Sequence, residues 1–77
     1  MNIGQAVAKR VNDLIAERKI TQYRLAKDMC ISHNAMSSIV NAKNKSANLE
    51  TLFSLCRALN MTMSEFFNDH VFDGVDF

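Results

Sequence analysis

A chain of 77 residues fits one domain, and no separate sensor module is expected in it. Hydrophobic residues at 48% and charged residues at 22% match an ordinary globular domain, and no apolar run approaches the roughly 18 residues needed to span a bilayer. The opening stretch MNIGQAVAKRVNDL lacks the apolar core of a signal peptide, so a cytoplasmic location is expected. The net charge of +1 conceals a division along the chain. Residues 1–45 hold eight Lys/Arg against three acids, or +5, whereas residues 46–77 hold Arg57 against five acids, or −4. A polyanion suits the first half and not the second, so a nucleic-acid surface is expected within the first 45 residues. Charges scattered on solvated helix faces are the alternative reading.

Taken in order, the chain reads as five helices. Helix 1, about residues 3 to 18, places Ile3, Val7, Val11, Leu14 and Ile15 on one stripe and turns Lys9, Asn12, Asp13 and Glu17 away. The later helices share a start signature, in which an N-cap residue is flanked by an apolar residue before it and another four positions on. It occurs as Ile20, Thr21, Leu25, as Ile31, Ser32, Met36 and as Met61, Thr62, Phe66, with a weaker copy at Ala47, Asn48, Leu52. Thr62 and Glu65 also form a capping box. Helix 2 is then expected at about 22 to 29, burying Leu25, Ala26 and Met29, and helix 3 at about 33 to 41. Helix 4, about 49 to 59, repeats Leu49, Leu52, Phe53, Cys56 and Leu59, and a short helix 5 near 63 to 68 carries Phe66 and Phe67. So few residues separate helices 2 and 3 that the two must cross steeply, which projects helix 3 outward.

Helix 3 carries the chemistry. At about 100° per residue, His33, Asn34, Ser37, Ser38 and Asn41 fall within an arc of about 140°, with Ala35, Met36 and Ile39 opposite. That outward face is polar but carries no charge unless His33 is protonated. A face selected only for solubility would favour Glu and Lys, which form helix better than Asn and Ser and pair at i, i+4. Asn offers a two-pronged hydrogen bond to adenine, Ser donates or accepts at a base edge or phosphate, and His donates to guanine. Base reading and a merely solvated face are the two alternatives for this surface.

The segment TQYRLAKDMCISHNAMSSIVNAKNKSANLETL, residues 21–52, resembles the helix-turn-helix core of the phage repressor and Cro family, often called the Xre family. With flanking helices the resemblance spans about residues 7 to 67. It is carried by the joint spacing of Thr21-Gln22, Leu25-Ala26, Ile31-Ser32, Ile39, Asn41 and Leu49-Glu50-Thr51-Leu52. The resemblance implies an all-α, compact five-helix bundle of the lambda-repressor-like kind, with helices 2 and 3 as the helix-turn-helix. It implies a sequence-specific double-stranded DNA binder acting as a transcriptional repressor or regulator, with residues 1–68 as the DNA-binding domain and 69–77 as a tail. His33, Asn34, Ser37 and Ser38 would contact bases, while Gln22, Asn41, Lys43, Asn44 and Lys45 would contact phosphates. The family often has Gly where this chain has Cys30 and Ala42, positions that tend to need φ > 0. It also often pairs an Arg and a Glu where this chain has Ile15 and Val40, an apolar replacement that can be neutral or stabilising.

Other chemistry has little foothold. Cys30, His33, Cys56 and His70 do not make a four-ligand zinc set, because Cys56 belongs to an apolar stripe, so no metal, cofactor or small-molecule ligand is expected. No nucleophile motif or Gly-rich phosphate loop is present, and no enzyme is expected. Phe66, Phe67, Val71, Phe72, Val75 and Phe77 exceed what one short helix can bury, which predicts a homodimer through helix 5 and the tail. The rival functional reading is a protein-interaction module, antitoxin-like or an accessory regulator, whose partner sits on the acidic, Phe-rich half.

Overall fold

The computed structural model describes residues 1–43 and 48–76. Five α-helices follow one another, α1 (Ile3–Arg18), α2 (Gln22–Met29), α3 (His33–Val40), α4 (Leu49–Ala58) and α5 (Met63–Phe67), and a 3-10 helix closes the chain at His70–Gly74. No strand occurs among the described residues. Each helix begins where its N-cap places it: the Thr21, Ser32 and Thr62 hydroxyls accept from the amides of Arg24, Ala35 and Glu65 at 3.0–3.1 Å. Asn48 accepts from Glu50 at 2.8 Å and from Thr51 at 3.3 Å. A capping box between Asn2 and Gln5, not anticipated from the sequence, starts α1. Helices α3, α4 and α5 stop one residue earlier than the periodicity suggests, because Asn41, Leu59 and Asn68 serve as caps.

The ends of the helices follow one plan. Lys19, Cys30, Ala42 and Asn60 all adopt left-handed backbone, with φ between 53° and 58°. At Cys30, the amide donates to Lys27 O at 3.1 Å and the next amide, of Ile31, to Ala26 O at 3.0 Å. This pair of bonds is a Schellman stop, which satisfies carbonyls that the helix end would otherwise orphan. The same pair recurs at Lys19, Ala42 and Asn60. At three of the four stops the following residue, Ile20, Ile31 or Met61, packs on the core, and the residue after that is the next N-cap. A helix is thus closed and the next one opened within three residues, Lys19-Ile20-Thr21, Cys30-Ile31-Ser32 and Asn60-Met61-Thr62.

The core gathers Val7, Val11 and Leu14 of α1 with Leu25, Ala26 and Met29 of α2, Met36 and Val40 of α3, and Phe66 of α5. Methionines fill gaps as expected: Met29 and Met36 are buried, and Met61 and Met63 pack against the cluster. In α4 the buried residues are Leu52, Leu55, Cys56 and Leu59. The expected stripe is corrected here, since Leu49 and Phe53 remain 71% and 57% exposed. Leu55 takes the inner place, and Phe53, two residues before it and about 200° around the helix, is turned to solvent.

The tail does not present the free apolar surface expected of it. Phe66, Phe67 and Phe72 form one cluster with centroids 4.8–5.8 Å apart. The 3-10 helix packs on α1, and the Asp76 amide donates to Met1 O at 2.9 Å. Phe66 is buried and Phe67, Val71, Phe72 and Val75 are half-buried within the same molecule, while Phe77 lies outside the described residues.

Two predictions follow from the caps. A side chain at left-handed backbone costs about 1 kcal/mol, so Cys30→Gly should raise stability by up to about that amount, less the chain entropy Gly adds. A thermal melt measures this, and a lower melting temperature would contradict the strain. Glu65 is held below the usual carboxylate range, first by its bond from the Thr62 amide and then by the Thr62 hydroxyl. A folded pKa below the unfolded one gives stability that is present above about pH 4.3 and is lost as pH falls through the folded value. Glu65→Gln accepts the same bond without titrating, so its melting temperature should fall less than that of wild type on acidification. Equal acid slopes would contradict this.

Candidate nucleic-acid interface

Helix α3 packs on α1 and α2 by burying Met36 and Val40, with Ala35 and Ile39 half-buried beside them. The remaining face is turned outward. His33 and Asn34 are exposed in its first turn, Ser37 and Ser38 are half-buried further along, and Asn41 is exposed at its C-cap. Gln22 is exposed at the first residue of α2, and Lys43 is exposed two residues beyond α3. Asn44 and Lys45, also expected to contact phosphate, lie outside the described residues.

Hydrogen bonds within this face determine what each group has left to offer. The Ser38 hydroxyl donates to Asn34 O at 3.1 Å, which leaves its lone pairs as acceptors. The Ser37 oxygen accepts from Asn41 Nδ2 at 3.0 Å, which leaves its own proton to donate. The Asn34 amide has no hydrogen-bond partner among the described residues, so both its donor and its acceptor face outward. Tyr23, which the sequence reading passed over, stacks on His33 with centroids 5.2 Å apart and rings 29° from parallel. Its position one residue after Gln22 put an aromatic at the start of α2, but only the fold brings α2 and α3 close enough for the rings to meet.

Behind this face, polar side chains hold α3 in place. Asn12, expected merely to face solvent, donates to Ala8 O at 2.9 Å and to Val40 O at 3.0 Å. It therefore ties α1 to the last residue of α3, close to where the apolar pair Ile15 and Val40 contributes packing to the core.

The basic half is also less free than its count implies. Arg10, with a side chain only 12% exposed, donates to Phe66 O at 2.8 Å, Glu65 O at 3.1 Å and Asp69 Oδ2 at 3.3 Å. Arg18 donates to Leu59 O. Both guanidinium groups satisfy carbonyls near the ends of α4 and α5, so they belong to the fold. Lys9 pairs with Asp13 and Arg24 with Asp28, each at 3.4 Å on the surface. The cations exposed on or beside the helix-turn-helix, Arg24, Lys27 and Lys43, flank an α3 face that is itself uncharged unless His33 is protonated.

A sequence profile of the Cro/C1-type helix-turn-helix DNA-binding domain matches residues 10–70. The chain belongs to this family. No curated protein and no solved structure matches it. The match takes in α2, α3 and the helices that buttress them, so the Cro/C1-type assignment covers the whole of the surface just described. It bears out the resemblance carried by residues 21–52, and with it the assignment to DNA binding and transcription regulation. Among the described residues no three His, Cys, Asp or Glu side chains stand together as a metal site. Cys56 is buried, and burial pushes its thiol above the usual range, while Cys30 is exposed. Among the described residues no helix is long and apolar enough to cross a membrane.

Arg10 separates structural from DNA-directed charge. Arg10→Met should lower stability by about 2 kcal/mol, because two carbonyls lose their donor and Asp69 loses its partner. It should leave the salt dependence of duplex binding unchanged. A smaller salt slope in the folded variant would place Arg10 on the DNA instead.

Proposed function

We propose that this Cro/C1-type chain binds double-stranded DNA sequence-specifically as a homodimer and represses transcription by occupying a promoter or operator. Helix α3, residues 33–40, lies in the major groove. The observation that carries this reading is the outward face of α3: uncharged, built of His33, Asn34, Ser37 and Ser38, and retaining free donors and acceptors after its internal bonds are counted. Such a set reads base edges, where hydrogen-bond pattern distinguishes one pair from another, rather than attracting phosphate by charge.

Each residue then has a separate role. The Asn34 amide is suited to adenine N6 and N7, because it offers a donor and an acceptor side by side. His33, braced by the Tyr23 ring, donates to guanine, and Ser38 accepts from an exocyclic amine while Ser37 donates. Gln22, at the first residue of α2, meets a phosphate, as do Asn41, Lys43, Asn44 and Lys45 along the segment that follows α3.

The two classes of contact respond differently to mutation. Lys43→Ala should weaken binding to selected and random duplexes together and reduce the log–log salt slope by about 1. Asn34→Ala should cost about 1 to 3 kcal/mol on the selected site and leave random-sequence affinity and salt slope nearly unchanged. Binding isotherms at several salt concentrations, on a site selected from random duplexes, measure both. If Asn34→Ala binds the selected site as tightly as wild type, its base-reading role is wrong.

A further inference from the structure

Among the described residues, the largest apolar exposure outside the helix-turn-helix is on α4. Leu49 and Phe53, one helical turn apart, are 71% and 57% exposed, whereas Leu52, Leu55, Cys56 and Leu59 bury the opposite side. Two charged residues share the outward stripe. Glu50 and Arg57 are seven residues apart, two turns of helix, with Phe53 between them. Both are exposed, and neither makes an ion pair among the described residues.

We propose that this stripe is where two copies of the chain meet, α4 against α4 in antiparallel pairing about a two-fold axis near Phe53. The arrangement of charge selects a second copy over another partner. Under that axis Glu50 of each copy faces Arg57 of the other, so one stripe is complementary to itself, which is the requirement of an isologous contact. Phe53 lies between the two ion pairs, and Leu49 of each copy flanks them on the outside.

The size of the stripe sets the strength of the contact. Two side chains and their flanks offer a few hundred Å2, well below the roughly 800 Å2 per partner of a stable complex. Free copies therefore remain largely monomeric, and pairing becomes favourable when both are held on one duplex. The molecule measures 31 × 23 × 21 Å, which lets neighbours occupy major-groove turns about 34 Å apart. Because α4 packs on α2 and α2 packs on α3, a contact at α4 fixes the spacing of two α3 helices. This last role rests on the DNA-binding reading above, whereas the contact itself is testable without DNA.

Sedimentation equilibrium of the 77-residue chain up to about 1 mM is the test, with melting temperatures recorded to confirm folding. Wild type should associate weakly to a dimer, and Phe53→Glu should remain monomeric. Glu50→Arg and Arg57→Glu, each alone, should associate at least about tenfold more weakly than wild type, because each places like charges together at both ends. An equimolar mixture of those two variants should recover association to within about threefold of wild type, since every reversed charge then meets its opposite on the other copy. A wild-type chain that stays monomeric throughout, a Phe53→Glu variant that associates as wild type does, or a mixture no stronger than its components would each overturn the proposal. Absence of wild-type binding to any duplex at low salt would defeat the DNA-binding reading and leave the sedimentation result to decide the contact.

Discussion

The three-residue joint between consecutive helices is the constraint on which the rest of this structure depends. At Cys30 the chain turns left-handed, closes α2 with two backbone bonds, places Ile31 on the core and opens α3 from Ser32. Nothing longer would hold α3 at a fixed angle to α2, and nothing shorter would satisfy both helix ends. The same device at Lys19 and Asn60 sets α1 against α2 and α4 against α5. None of these positions is Gly, so each carries a local cost of about 1 kcal/mol that the bonds and the buried apolar residue must offset. Asn60 is the least strained of them, since a short polar side chain tolerates left-handed backbone.

Once the joints fix the helices, the polar side chains divide into two groups with different work. Asn12, Arg10 and Arg18 donate to backbone carbonyls at or near helix ends, and Arg10 also to the carboxylate of Asp69, the cap of the 3-10 segment. They lock α1 to α3, to α5 and to the end of α4. The residues of the outward face of α3 bond only to one another, and lightly. An interface composed in this way is rigid in position yet unsatisfied in hydrogen bonding, the combination that discriminates one base edge from another. Five of the eight acidic residues lie from α4 onward, but Arg10 of α1 reaches across to Asp69, so the division of charge along the sequence is partly offset in the fold.

Much of this was legible in the residues themselves. Helix starts were readable because capping is local: Thr21, Ser32 and Thr62 act on amides three residues away, and no tertiary information is needed to expect them. The left-handed turn at Cys30 was readable for a different reason, the resemblance to a family that places Gly there. What the sequence did not disclose was tertiary. Which side of α4 would be buried depended on Leu55 outcompeting Phe53 for the core, and six apolar residues around one ten-residue helix leave that choice open. The fate of the terminal aromatics depended on whether α1 offered them a docking place, and Arg10 beside Phe66 and Asp69 supplies one. Counting charge along the chain likewise misjudged Arg10 and Arg18, because the number of cations says nothing of how many have carbonyl partners.

The central claim is that the outward face of α3 reads base edges while α5 and the closing segment serve the fold. Titrating the isotope-labelled chain with a duplex selected from random sequences, and following backbone amides and side-chain NH2 groups by NMR, tests it most directly. The account predicts the largest shifts at His33 to Ser38 and at the Asn34 side-chain NH2, with residues of the closing 3-10 helix unmoved. Shifts confined to the α4 and α5 surface, or an Asn34 side chain that does not respond to the duplex, would contradict it.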